Sequence, residues 1–184
     1  MVQTRQHAGY SMVEVTMAML VASILAGFAV LNIGGITPGT TANAALNEAV
    51  AQLRTGRESA IAQRRNIELK FLGSNQIQLV RDEVPVGTTV LNTLTLEGSM
   101  QFLSFNGLPD TPDLFGNGAA INFGGAQSII FQSNGVLVDQ NANPINGSVF
   151  IGQVNHTETA RAVTILGATG RVRGYRWSGT AWIQ

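Results

Sequence analysis

One carboxylate, Glu14, stands in an otherwise apolar or small-residue stretch that runs from Tyr10 to Gly35. A short basic segment precedes it, with Arg5 and the amino terminus as its positive charges. Near the other end, Arg161, Arg171, Arg173 and Arg176 follow Glu158 with no Asp or Glu among them. In a regular strand Arg171, Arg173, Tyr175 and Trp177 share one face, and Val172 and Gly174 share the other. Arginine beside aromatic rings suits phosphate contact combined with base stacking, so Arg171, Arg173, Tyr175, Arg176 and Trp177 form a candidate DNA-binding group. The same residues could instead solvate a strand or contact another protein. Asp110 and Asp113 flank a Thr-Pro pair and could either join a calcium site or serve as solvated loop acids.

Few other chemistries are open. The chain has no cysteine, which excludes disulfides and thiolate metal sites, and only His7 and His156 as imidazoles. There is no phosphate loop, nucleophile elbow or metalloprotease helix. Gly116-Asn117-Gly118 lacks the third glycine of a dinucleotide fingerprint and reads as a loop. No enzyme activity, cofactor or metal is expected. The formal net charge is zero and 12% of residues are charged, so bulk electrostatics point to no partner.

The apolar stretch allows three readings. About 26 residues in a helix span about 39 Å, enough to cross a bilayer core of about 30 Å. The positive flank should stay cytoplasmic, with the bulk of the chain across the membrane. A secretory signal ending near Ala26, Gly27 and Ala29 is one reading, and a plain membrane anchor is another. Neither gives Glu14 a task, although near a helix start its cost falls through the interface and the helix dipole. The third reading is carried by Gly9-Tyr10-Ser11-Met12-Val13-Glu14, which resembles the cleavage site of type IV prepilins and pseudopilins. That resemblance implies cleavage by prepilin peptidase after Gly9 and methylation of the new Tyr10 amine. It also implies a structural task for Glu14, pairing with such an amine as subunits assemble. Ala18, Ala22, Ala26 and Ala29 recur at spacings that allow close helix approach, and are equally good helix formers.

The remaining pattern is α+β. Residues 1–9 are expected to be a leader and 10–35 a transmembrane, filament-core helix. Ile33 to Gly39, with Pro38, should interrupt that helix by a kink or a short melted segment. A second helical part is expected over 41–66, with Leu46, Val50, Leu53, Ala60 and Ile61 on one face and Glu48, Gln52 and Glu58 elsewhere. It should end at Arg64-Arg65-Asn66, with Asn66 as a cap. From Ile67 the period changes to strands over 67–71, 77–80, 90–96, 99–105, 128–132, 136–138 and 149–151. These lead to a closing meander over 162–166, 171–177 and 181–183. A long N-terminal helix packed on antiparallel sheet buries both apolar faces.

Three further segments extend the resemblance. Gly56-Arg57-Glu58-Ser59-Ala60-Ile61-Ala62-Gln63-Arg64-Arg65-Asn66 looks like the helix end of the GspH/FimT family. Ile129-Ile130-Phe131-Gln132-Ser133-Asn134-Gly135 resembles that family's Phe-x-x-x-Gly strand and turn. Ala162-Val163-Thr164-Ile165 through Gly170-Arg171-Val172-Arg173 resembles its C-terminal hairpin. The resemblance implies a type IV pilin-like minor pilin or pseudopilin, a structural subunit of a type IV pilus or a type II secretion pseudopilus. Its partners would be other pilins, prepilin peptidase and the bacterial inner membrane, crossed once with the C-terminal domain extracytoplasmic. In some pilus-associated members Gly-Arg-x-Arg is tied to DNA binding, which makes a DNA receptor the alternative.

Overall fold

A computed structural model describes residues 10–184, apart from the side chains of 28–37. The expected leader, including Gly9, lies outside the described residues. Helix α1 runs Met12–Gln63 and contains Pro38. The helix therefore continues through Pro38, and the expected melted segment does not form. Proline removes one donor, and a long helix propagates past a single missing bond. Pro38 instead marks the division between two compact units, one ending at Thr37 and the other running Pro38–Gln184. Among the described residues no helix is long and apolar enough to cross a membrane. The side chains of 28–37, part of the expected span, lie outside the described residues.

In the second unit the helix is lined by small residues. Ala42, Ala45, Ala49, Leu53 and Ala60 are buried, with Leu46 and Val50 partly so. Ile61, expected on this face, is exposed. Gln52, expected to face elsewhere, is buried, because its amide bonds both ways into the sheet. Its Nε2 donates to the Ile77 carbonyl at 3.3 Å, and its Oε1 accepts from Asn92 at 3.0 Å. A buried polar group thus finds both partners and carries little desolvation cost. The helix closes on a Schellman motif: Arg65 N donates to the Ala60 carbonyl and Arg64 N to the Ile61 carbonyl. The left-handed residue is Arg64, with φ 51°, so the cap falls there and not on Asn66. A glycine suits that conformation better. Arg64→Gly should therefore raise stability by up to about 1 kcal/mol, read as a higher urea midpoint with an unchanged slope.

Two antiparallel sheets pack on the helix. The first has the order β3-β2-β1-β6-β7, built from β1 (Ile67–Leu72), β2 (Gln76–Asp82), β3 (Thr88–Thr95), β6 (Ile129–Phe131) and β7 (Leu137–Val138). The second has the order β11-β10-β9-β8-β4, built from β4 (Gln101–Phe102), β8 (Gly147–Gln153), β9 (His156–Leu166), β10 (Arg171–Trp177) and β11 (Trp182–Ile183). Strand β5 (Ile121–Asn122) also pairs with β8. Leu69, Ile77 and Leu79 of the first sheet and Val149, Ile151, Val163, Ile165 and Val172 of the second share one core with the helix. Two glycines mark the close approaches. A Cβ on Gly56 of the helix would lie 3.0 Å from Leu79, and one on Gly174 of β10 would lie 3.2 Å from Leu46 and Val50.

The irregular stretch after Phe105 covers the outer face of the second sheet. Phe150, Ala160, Ala162, Tyr175 and Trp182 form a second core there, with Phe105, Leu108 and Trp177 against it. The Trp182 indole donates to the Pro109 carbonyl at 2.8 Å, and Ser148 Oγ donates to the Gly116 carbonyl at 2.5 Å. The second sheet thus has a core on each side. This explains the burial of every residue from Thr159 to Ile165 and the lack of simple alternation there.

Candidate functional site

The first unit is a helix whose described surface is apolar and exposed all round. Met12, Met17, Met19, Leu20, Ile24 and Leu25 are each more than half exposed, and Tyr10 is 82% exposed. Ser11 caps the helix: its carbonyl accepts from Glu14 N at 2.9 Å and its hydroxyl from Val13 N at 3.4 Å. Thr16 and Ser23 donate their hydroxyls back to the Val13 and Met19 carbonyls, at 2.9 and 2.7 Å, so neither needs water. The Glu14 carboxylate, in the first helical turn, has no hydrogen-bond or ion-pair partner among the described residues. A contiguous apolar surface of this kind requires lipid or protein around it. Covering that surface would take water from the Glu14 carboxylate, at a cost that a counter-charge offsets.

The arginine strand is β10. Arg171, Arg173 and Tyr175 share its outer face, as alternation dictates. The missing acid is supplied by the loop, from Asp113. Arg173 Nη1 donates to Asp113 Oδ1 at 3.0 Å, Tyr175 OH to Oδ2 at 2.9 Å, and Thr164 Oγ1 to Oδ2 at 2.5 Å. Arg171 comes within 4.0 Å of the same carboxylate. Trp177 packs against Trp182, ring centroids 5.4 Å apart. Arg176 lies on the opposite face, across from Arg161 of β9. Of the five candidate DNA-binding residues, three are therefore occupied inside the domain, and the two exposed arginines, Arg171 and Arg176, face opposite ways.

Asp110, the other loop acid, accepts from Thr111 N and Gly116 N, each at 2.7 Å, and so shapes its own loop. Among the described residues no group of three or more His, Asp or Glu side chains could hold a metal ion. Burial by itself would raise the Asp113 pKa. The bonds from Thr164 and Tyr175 and the Arg173 charge outweigh it and hold the carboxyl below the usual range. A carboxyl depressed on folding adds stability that is complete above its unfolded pKa of about 3.9 and is lost as pH falls through the lower folded value. Asp113→Asn should cost about 1–3 kcal/mol at pH 7, because the buried Thr164 and Tyr175 hydroxyls lose their charged acceptor. The gap between variant and wild type should narrow below about pH 4. Urea midpoints at the two pH values measure both.

The segments quoted for the GspH/FimT resemblance meet at one place. Arg57 Nε donates to the Gly135 carbonyl at 3.3 Å, tying the helix to the β6–β7 turn. Gly170, in the β9–β10 turn, lies against that same carbonyl and against the Arg57 side chain. Leu137 N donates to the Gly167 carbonyl at 2.9 Å, joining the two sheets. These motif residues close the domain.

No family model matches the sequence, and no curated protein matches it. In structure the chain is similar to the type IV minor pilin FimU of Pseudomonas aeruginosa, at 16% identity and a TM-score of 0.52, over 81% of this chain and 97% of that one. It is also similar to the minor pseudopilin EpsH from the Type 2 Secretion System of Vibrio cholerae, at 12% identity and a TM-score of 0.50, over 73% of this chain and 96% of that one. The likeness establishes the fold as type IV pilin-like: an N-terminal helix packed on antiparallel sheet.

Proposed function

We propose that this chain is a minor pilin or pseudopilin, a structural subunit that enters a type IV pilus or a type II secretion pseudopilus. The observation that carries the reading is the exposed apolar helix with unpartnered Glu14, joined in one chain to a domain of pilin-like fold. Such a helix is stable in lipid before assembly and among other helices after it. The leader 1–9 is removed at Gly9 by prepilin peptidase and the Tyr10 amine is methylated. Until assembly the protein sits in the bacterial inner membrane, crossing it once, with residues from Pro38 onward extracytoplasmic. Neighbouring pilins are its partners. Of the C-terminal arginines, Arg173 is taken up by Asp113 inside the domain and Arg171 and Arg176 face opposite ways, so the geometry favours the structural reading over a DNA receptor.

Processing tests the reading directly. Intact-mass and N-terminal peptide measurements on protein from its native host should give a chain beginning at methylated Tyr10. An uncleaved leader, or cleavage near Ala29, would return the segment to an ordinary anchor or signal.

A further inference from the structure

Arg161 and Arg176 stand directly opposite each other on β9 and β10, on the face towards the helix. Arg161 is 4% exposed. Its guanidinium is held by neutral oxygens: Nε donates to Asn43 Oδ1 at 2.9 Å, Nη1 to the Glu158 and Ala160 carbonyls at 3.0 and 2.8 Å, and Nη2 to the Gly39 carbonyl at 3.3 Å. Neither arginine forms an ion pair among the described residues. The Glu158 carboxylate is turned to His156, at 2.7 Å. Arg176 is exposed. Burial, and then the neighbouring Arg176 charge, push Arg161 below the ordinary guanidinium value.

Two cations directly across a strand pair repel, and a buried cation without a counter-charge is costly. Carbonyls and one amide fix the Arg161 fork in position but leave its charge in place. An oxyanion beside both guanidinium groups would remove both penalties. Arg161 has one N–H left beyond its four bonds and contributes mainly charge, while the exposed Arg176 fork can donate to two oxygens of a phosphate. The outer face of the same strand shows the contrast, because there Asp113 neutralises Arg173 from within the chain.

We propose that Arg161 and Arg176 form a phosphate-binding site, with Arg161 as its fixed, pre-oriented half and Arg176 as its exposed half. Asn43 and Gly39 tie the site to the first residues of the second unit, which directly follow the apolar segment in sequence. The phosphate is either free or part of a phospholipid headgroup. Only the second source rests on the membrane reading above.

Thermal unfolding of the full-length protein in non-ionic detergent tests the site. Inorganic phosphate is titrated at constant ionic strength, and short-chain phosphatidylglycerol in a separate series. Wild type should show a saturable rise in Tm of about 5–10 °C at about a hundredfold excess of ligand over Kd. Arg176→Gln should lose the response, and Arg171→Gln, altered on the other face, should keep it. Without ligand, Arg176→Gln should melt at or above the wild-type temperature, since a like-charge neighbour is gone. A rise with phosphate supports a soluble ligand, and a rise with the lipid alone supports a headgroup. No rise with either, or an equal rise in Arg176→Gln, overturns the site whether or not the chain assembles into filaments.

Discussion

Gly170→Ala should unfold the domain at temperatures where the wild type is intact. Gly170 has φ +63°, and a Cβ there would lie 2.1 Å from the Gly135 carbonyl oxygen and 2.6 Å from Arg57 Nε. The left-handed conformation alone costs a side chain about 1–2 kcal/mol. The overlap adds more, because its partner is a backbone oxygen in a turn that is itself pinned by Arg57. A loss of about 3–5 kcal/mol is a large share of the ~5–15 kcal/mol by which a domain is stable. Gly73 provides the internal control. Its φ is +57° and a Cβ there would meet nothing within 4 Å. Gly73→Ala should therefore cost only the conformational part. Denaturant melts of residues 38–184 carrying each substitution separate the two contributions, and equal losses would show that the contact at Gly170 is not a constraint.

That contact also shows which parts of the fold were legible in the sequence. The motifs at Gly56-Arg57, Phe131 to Gly135 and Gly170 to Arg173 could be quoted from the chain, and each sits in the kind of element its pattern implied. Their convergence could not be read, because Arg57 and Gly135 lie 78 residues apart. Asp113 illustrates the same limit: 60 residues separate it from Arg173, and no local pattern joins them. An indirect signal did exist. A run of arginines with no acid in its own segment needs a counter-charge from elsewhere, and Asp110 and Asp113, open in sequence to a calcium or a solvated-loop reading, are the nearest preceding Asp pair without an assigned partner. In the sequence, strand β9 is legible only from Ala162, because Thr157, Glu158 and Arg161 look like solvent-facing residues. Arg161 is instead buried by its bonds to helix and strand oxygens. Periodicity reports which residues are apolar, and it misses polar groups whose partners arrive from distant parts of the chain. Gln52 was misplaced for the same reason.

Glu14→Ala should leave insertion and leader processing intact while reducing incorporation into filaments by about 10–100-fold. Glu14 is the one charge between Tyr10 and Gly35, and its carboxylate has no partner among the described residues. Cleavage at Gly9 would make it the fifth residue of a chain that begins with a positive amine. Packed among other apolar helices, each of these charges alone would carry a desolvation penalty of several kcal/mol, and together they offset one another. Removing the carboxylate leaves a neighbour's amine buried without a counter-charge. If about 1.4–2.8 kcal/mol of that penalty persists per contact, the assembly equilibrium moves by the stated factor. Insertion into lipid should be unaffected or easier, because an ionisable group has been taken out of the span. Glu14→Gln keeps the size and the hydrogen-bonding capacity but not the charge, and should behave like the alanine variant if charge pairing is the cause. Quantifying the subunit in sheared filaments and in membranes, in cells without the wild-type copy, distinguishes the cases. Normal incorporation of both variants would remove charge pairing from the assembly mechanism. Loss with Ala but not with Gln would assign Glu14 a packing or hydrogen-bonding role.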